Sequence, residues 1–282
     1  MSLFNPKSWF DRSPVVPVLR LSGAIGISSP LSPGLNLASL AEQIEKAFSV
    51  KNAKAVALQI NSPGGSPVQS KLIFNRIRAL AEENDIPVYS FVEDVAASGG
   101  YWLALAGDEV YADDSSILGS IGVISAGFGF HKAIEKVGVE RRVYTAGERK
   151  MSLDPFAPEQ PEEIVRLKAL QKDIHQAFRS LVENRRGDKI SAAGDMLFTG
   201  EFWSGTKAVE LGLIDGLGDL RMVMRRKFGD KVNLKLISPK RGLFKRAGIG
   251  SALPSSQTLT AGLTDDVLST LEARALWSRF GL

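Results

Sequence analysis

The chain has no cysteine and only two histidines, His131 and His175, in 282 residues. Without cysteine there are no disulfides, no thiol nucleophile and no cysteine metal site; the redox compartment stays open, because either environment accepts such a chain. Two distant histidines with no His-Glu-x-x-His pattern leave no metal-ligand cluster, so neither a metal nor another cofactor is expected. No run reaches the roughly 18 consecutive apolar residues that cross a bilayer. The stretch Met1 to Phe10 also lacks the apolar core of a signal peptide, and a cytoplasmic protein is the expectation. A formal charge of +4 is modest, and no basic face is interleaved with stacking aromatics, so nucleic acid is not an expected partner.

What is present is an ordinary globular composition, 44% hydrophobic and 23% charged, enough for one sizeable core with an appended tail. Four short stretches stand out: Ile60 to Gly65 (INSPGG), Ala97 to Gly100 (ASGG), Leu118 to Gly122 (LGSIG) and Gly147 to Lys150 (GERK). Taken singly, Ser-Gly-Gly is a turn, Gly-Ser-Ile-Gly a strand entry and Arg-Lys a solvated loop. Taken together and in this order they read as nucleophilic catalysis.

A serine hydroxyl needs a neighbouring base to take its proton as it attacks a carbonyl. Neither histidine is well placed for that: His131 follows the Gly-rich run Ala126 to Phe130, and His175 lies within the helical stretch Glu162 to Arg186, so both read as structural or surface residues. A lysine can serve if its surroundings lower its pKa from about 10.4 toward roughly 7 to 8. Burial achieves this only with an uncharged hydrogen-bonding partner, because a carboxylate would raise the value again. A second serine suits that role.

These stretches resemble the signal peptide peptidase A family of serine-lysine peptidases, a branch of the Clp protease and crotonase superfold, over about Val15 to Val223. The resemblance implies Ser98, in Ala97-Ser98-Gly99-Gly100-Tyr101, as nucleophile. It implies Lys150, in Thr145 to Lys150, as general base, and Ser120, in Gly119 to Val123, as the serine that hydrogen-bonds the lysine. The strand Ala55 to Ile60 ends abruptly in Asn-Ser-Pro-Gly-Gly, where glycines bring backbone amides close to a substrate. By resemblance the oxyanion hole combines the Gly99 amide with that of Gly64 or Gly65, a choice the sequence leaves open. A helix starting at Gly99 would set Ser98 at its positive end.

Along the chain, strands and helices alternate, as in a layered α/β fold with a mostly parallel sheet and flanking helices. Expected strands are Val15 to Leu21, Ala55 to Ile60, Pro87 to Glu93, Tyr111 to Asp113, Ile121 to Ser125 and Val139 to Thr145. Expected helices are Leu37 to Ser49, Ser66 to Glu83, Gly99 to Ala106, His131 to Val137 and Glu162 to Arg186. The loop Met151 to Pro161 reads as a rim of the substrate cleft, and Thr199 to Asp215 as a structural closing helix and turn. The organisation is an N-terminal extension (1–14), a peptidase domain (15–233) and a basic, amphipathic tail (234–282) with a helix from Thr264 to Phe280.

The resemblance further implies a homo-oligomer acting on a peptide or protein substrate, and in several family members the serine and lysine come from different copies or repeats, so whether Ser98 and Lys150 meet within one chain stays open. Unlike the better-known members, this chain shows no N-terminal membrane helix, which weakens the case for signal peptides as substrate. Leu3, Phe4, Trp9 and Phe10 either anchor the protein peripherally or pack on a neighbouring subunit, and Pro239 to Arg246 either rests on an anionic membrane surface or is solvated. Three functions are weighed: an endopeptidase cleaving extended, mostly apolar peptides through an acyl-enzyme, a crotonase-like acyl-CoA enzyme without a serine nucleophile, and a non-catalytic scaffold for membrane-protein segments.

Overall fold

A computed structural model describes residues 13–27, 34–147, 149–238, 270–271 and 273–282. The N-terminal anchor residues, the basic segment around Lys240 to Arg246, and Thr264 to Ser269 of the expected tail helix lie outside them.

The core is the layered α/β arrangement expected. Strands β1 (Val15–Ser22), β2 (Val56–Ser62) and β3 (Val88–Ala97) are mostly apolar and mostly buried because both faces of the sheet are covered. With β4 (Glu109–Ala112), β5 (Ile117–Gly119), β6 (Phe202–Ser204), β7 (Gly216–Leu217) and β8 (Asn233–Leu236) they form one sheet, ordered β6-β5-β3-β2-β1-β8, with β4 beside β3 and β7 beside β4. Every pairing is parallel except β5 with β6. The expected boundary at 233/234 falls inside β8, which pairs with β1, and Ile237 beyond it is buried in the core.

Strand β3 organises the site. It runs with β2 on one side; on the other its first half, Tyr89 to Val92, pairs with β4 and its second, Val95 to Ala97, with β5. The β2–β3 register slips between Ile60 and Ser62, and Asn61 spans the slip: its Oδ1 accepts from Val95 N (3.3 Å) and its Nδ2 donates to Asp94 (2.5 Å). The asparagine of the Asn-Ser-Pro-Gly-Gly stretch thus repairs the ladder just before the strands open into loops.

One sheet face is covered by α1 (Leu37–Phe48), α2 (Pro67–Asn84), α3 (Gly99–Ala104) and the end of α5 (Pro161–Arg186). Helix α1 buries Leu40, Ile44, Ala47 and Phe48 at helical spacing, and the Asn36 side chain caps it by accepting from Ser39 N. Helix α2 begins with Ser66 as cap and Pro67 in its first turn, where a missing N–H costs nothing. The other face is covered by α7 (Leu220–Phe228), through Val223 and Met224 against Val16, Val18 and Phe91.

Two expectations need correction. The strand placed at Ile121 to Ser125 is instead Ile117–Gly119, and the chain leaves the sheet at Ser120. Val139 to Thr145 forms no strand: it pairs with no strand among the described residues, and all of its residues are exposed. The expected tail helix is present at residues 270–271 and 273–278 among those described, and Phe280 beyond it packs on Val95 and Ala97 of β3.

Helix α5 is fixed to the sheet by a buried ionic cluster. Arg186 donates to the Gly212 carbonyl and to Asp215 (both 2.7 Å), Lys189 donates to Asp215 (2.6 Å), and the Val110 amide donates to the same carboxylate (2.8 Å). Burial works against charge on Asp215, but the hydrogen bonds from Arg186 and Lys189 outweigh it and hold the carboxyl below its usual range. A carboxyl whose pKa is lower folded than unfolded contributes its stability above about pH 4, the unfolded value, and loses it as the pH falls through the folded value. Asp215→Asn should therefore cost about 3 to 5 kcal/mol, the cost of leaving a buried partner charge unpaired. Urea unfolding should show a lower midpoint near neutral pH and a smaller difference from wild type in acid.

Candidate active site

Ser98 sits where β3 turns directly into α3, with φ 52° and ψ −119°, a left-handed conformation that a side-chain-bearing residue rarely adopts. Such strain persists only where surrounding bonds over-determine it. Here they do: Ser98 N donates to the Gly119 carbonyl (2.8 Å), extending the β3–β5 ladder, and Ser98 O accepts from Trp102 N (3.1 Å) as the first bond of α3. The hydroxyl makes no cap bond and lies half-buried at the helix N-terminus.

Glycine is required around this turn for lack of space. A Cβ on Gly100 would lie 2.3 Å from the Ser62 carbonyl oxygen, and one on Gly65, at φ 140°, would lie 2.1 Å from that of Ile25. The same close packing brings the two proposed oxyanion loops together, since a Cβ on Gly99 would stand 3.4 Å from Gly65 N. Their amides differ in availability. Gly64 N donates to the Ser62 hydroxyl (3.2 Å), which in turn donates to the Gly23 carbonyl (2.7 Å). Gly65 N makes no hydrogen bond among the described residues, and Gly99 N, in the first turn of α3, has no acceptor within its helix.

Ser120 is the next residue along β5 from Gly119, whose register partner is Ala97, so Ser98 and Ser120 are neighbours at adjacent strand ends. Ser120 is buried, also has a positive φ (51°), and donates its amide to the Glu201 carbonyl (2.6 Å). The structure thus brings together Ser98, Ser120, Gly64, Gly65 and Gly99. It does not bring Lys150 to them. Lys150 is exposed in a turn closed by its own amide to the Gly147 carbonyl (3.2 Å), and its ammonium makes no hydrogen bond or ion pair among the described residues.

The reason is that Lys150 rides on an arm. No described residue from Gly122 to Ala177 is buried. The arm holds itself together: Phe130 contacts Phe128 and Phe156, Arg141 pairs with Asp154 (2.7 Å) and lies over the Phe156 ring, and Phe130 N donates to the Pro155 carbonyl (2.6 Å). Helix α4 (His131–Lys136) buries nothing, and Ile124, Phe128, Val137 and Tyr144 are all more than 65% exposed. So much exposed apolar surface on one segment marks a contact surface.

Neither histidine touches Ser98. His175 Nε2 lies 3.2 Å from the Ile121 carbonyl, and His131 on the arm has no partner at Nδ1. The sequence reading missed the cleft wall. Ser98 and Gly99 open onto a cleft of about 20 Å³ whose apolar side is formed by Pro67, Trp102, Val123, Ile174 and Phe178. Ile174 and Phe178 carry only a helical-core signal in sequence, and nothing in that pattern distinguishes a core residue from a cleft residue.

Residues 81–234 match the profile described as Peptidase family S49. The chain belongs to peptidase family S49. A putative protease of Synechocystis is 32% identical over 231 residues, covering 79% of this chain and 81% of that protein. The chloroplastic serine protease SPPA of Arabidopsis thaliana is 32% identical over 271 residues, 90% of this chain and 39% of its own length. A Brucella abortus protein named Na(+)/H(+) antiporter NhaA is 56% identical over 272 residues, covering 95% of this chain and 37% of that protein. The chain therefore spans well under half the length of the last two relatives, and among its described residues no helix is long and apolar enough to cross a membrane. A solved structure, the S97A mutant of a membrane-bound stomatin-specific protease, aligns with 81% of this S49 chain at 15% identity and a TM-score of 0.49.

The close packing of the S49 turn makes a direct prediction. Gly100→Ala, which forces a methyl onto the Ser62 carbonyl, should destabilise the fold by about 1 to 3 kcal/mol as an overpacking substitution. Gly127→Ala, with nothing within 4 Å of the new methyl, should be close to neutral in the same thermal melt.

Proposed function

We propose that this chain is a serine endopeptidase whose nucleophile is Ser98 and whose general base is Lys150 supplied by a neighbouring copy. The observation that carries the reading is the pair of strained serines, Ser98 and Ser120, at adjacent strand ends beside two unengaged amides, with Lys150 held away on an exposed apolar arm. Gly65 and Gly99 supply the oxyanion donors, because the Gly64 amide is already committed to Ser62. Each such donor is worth about 2.7 to 4 kcal/mol toward the tetrahedral intermediate.

In the mechanism, the neutral lysine amine takes the Ser98 proton as Oγ attacks the scissile carbonyl, and Ser120 orients the amine without adding negative charge. The ammonium then protonates the leaving amine. Water, deprotonated by the same lysine, hydrolyses the acyl-enzyme and restores the serine. Seating the arm on a second copy would bury its apolar side chains and desolvate the amine, which favours the neutral form the base needs.

Extended, mostly apolar peptides, among them membrane-protein segments, are the proposed substrates. In support, the relative named as an antiporter carries a region 56% identical to this chain within a protein named for membrane transport. Cytoplasmic work at the membrane surface, as a homo-oligomer and without nucleic acid or cofactor, completes the proposal.

Ser98→Ala and Lys150→Ala should each lower peptide turnover by at least about 1,000-fold, as loss of a covalent nucleophile or its base does. If the dyad forms between copies, unfolding the two variants together and refolding the mixture should restore about a quarter of wild-type activity, because half the serines survive and half of those meet a surviving lysine. No recovery in the mixed oligomer would place the dyad within one chain.

A further inference from the structure

We infer that His175 is a positioning residue that acts on the reaction through Ser120, by tying the two ends of the arm together at the strand end where Ser120 sits. The inference rests on the peptidase reading above and adds to it the residue that fixes the seat of the lysine.

Ser120 holds a positive φ (51°), which a residue with a side chain keeps only while its surroundings enforce it. Three hydrogen bonds surround it. The Ser120 amide donates to the Glu201 carbonyl (2.6 Å), the Ser120 carbonyl accepts from Gly122 N (2.9 Å), and the next carbonyl, that of Ile121, faces His175 Nε2 at 3.2 Å. A carbonyl oxygen only accepts, so Nε2 carries the proton and donates. The first bond comes from the segment leading into β6 and the second is local to the turn. The third reaches across from α5.

That third bond joins residues 54 apart in the chain, and they stand at the two ends of the arm. Ile121 is fully buried, and the chain beyond it is exposed or half-buried until Phe178 re-enters the core. Half-buried His175 lies one turn before Phe178, whose ring stacks on Trp102 at 4.8 Å. Further along α5, Val182 and the Arg186–Asp215 pair (2.7 Å) fasten the helix to the body. The donor is thus held by a helix that is itself anchored. Losing it frees the Ile121 peptide and lets Ser120 relax, which swings the hydroxyl that orients the amine. Ser98 stays in place, because the Gly119 carbonyl to which its amide donates (2.8 Å) precedes Ser120 and is held in the β3–β5 ladder. Chemistry should therefore slow while substrate binding persists.

The test is cleavage of a peptide library by the full-length protein, followed by kcat and KM on the best-cleaved peptide for wild type, His175→Gln, His175→Glu and His175→Phe. Glutamine keeps an N–H donor, glutamate has the same shape with acceptors alone when ionised, and phenylalanine keeps a ring without a donor. His175→Phe and His175→Glu should lower kcat by about 10- to 100-fold, the loss that a misplacement of about an ångström brings, with KM within about twofold of wild type. His175→Gln should stay within about threefold of wild-type kcat, a rescue that a general loss of packing would not show. Where His175→Phe does not fold, the His175→Glu and His175→Gln pair makes the same comparison. Wild-type kcat in folded His175→Glu, a rise in KM alone, or His175→Gln as slow as His175→Glu would overturn the positioning role while leaving the peptidase intact. Absence of cleavage by wild type anywhere in the library would overturn the peptidase reading itself, and the role of His175 with it.

Discussion

Backbone meets backbone beneath Ser98, and the rest of the site depends on that contact. Gly100 lies against the Ser62 carbonyl and Gly65 against that of Ile25, approaches that no side chain permits. The first locks the end of β2 to the start of α3, and the second ties the loop after β2 to the segment that follows β1. That fixes the unusual torsion of Ser98, aims the first amides of α3 outward and leaves the Gly65 amide without an internal partner. A site meant to stabilise a developing oxyanion needs donors of this kind, held in place before the reaction so that nothing must reorganise during it.

The second constraint is the division of the chain into a body that is finished and an arm that is not. The body covers both faces of its sheet and locks α5 through Arg186, Lys189 and Asp215. From Gly122 to Ala177, by contrast, no described residue is buried, and aromatic and valine side chains stand in solvent. Leaving that much apolar area in water forgoes roughly 25 cal/mol for each Å² that a partner could cover. A homo-oligomer that buries the arm and delivers Lys150 accounts for both the exposure and the separation of the lysine from Ser98.

Much of this was legible in the sequence. The strand Ala55 to Ile60 announced itself as a nearly continuous apolar run, since a parallel strand covered on both faces needs no alternation, and the Asn-Ser-Pro-Gly-Gly and Ala-Ser-Gly-Gly stretches marked the two loops that meet. Three-residue β5 was misplaced because so short a strand leaves no period to read, and its position follows from pairing with β3. Val139 to Thr145 was read as a strand from its place in the strand–helix order of the chain, yet that order cannot say whether a pairing edge lies in the same chain. The contact on which the proposed choice of Gly65 over Gly64 rests was hidden for a related reason: the Ser62 hydroxyl occupies the Gly64 amide, and the sequence does not encode which way those residues face.

The central claim is that Ser98 is an activated nucleophile, and covalent labelling tests it most directly. Intact-protein mass spectrometry after treatment with a fluorophosphonate, followed by peptide mapping, should show one adduct per chain on Ser98, absent from Ser98→Ala. An unmodified wild-type protein, or an adduct that persists in Ser98→Ala, would contradict the account.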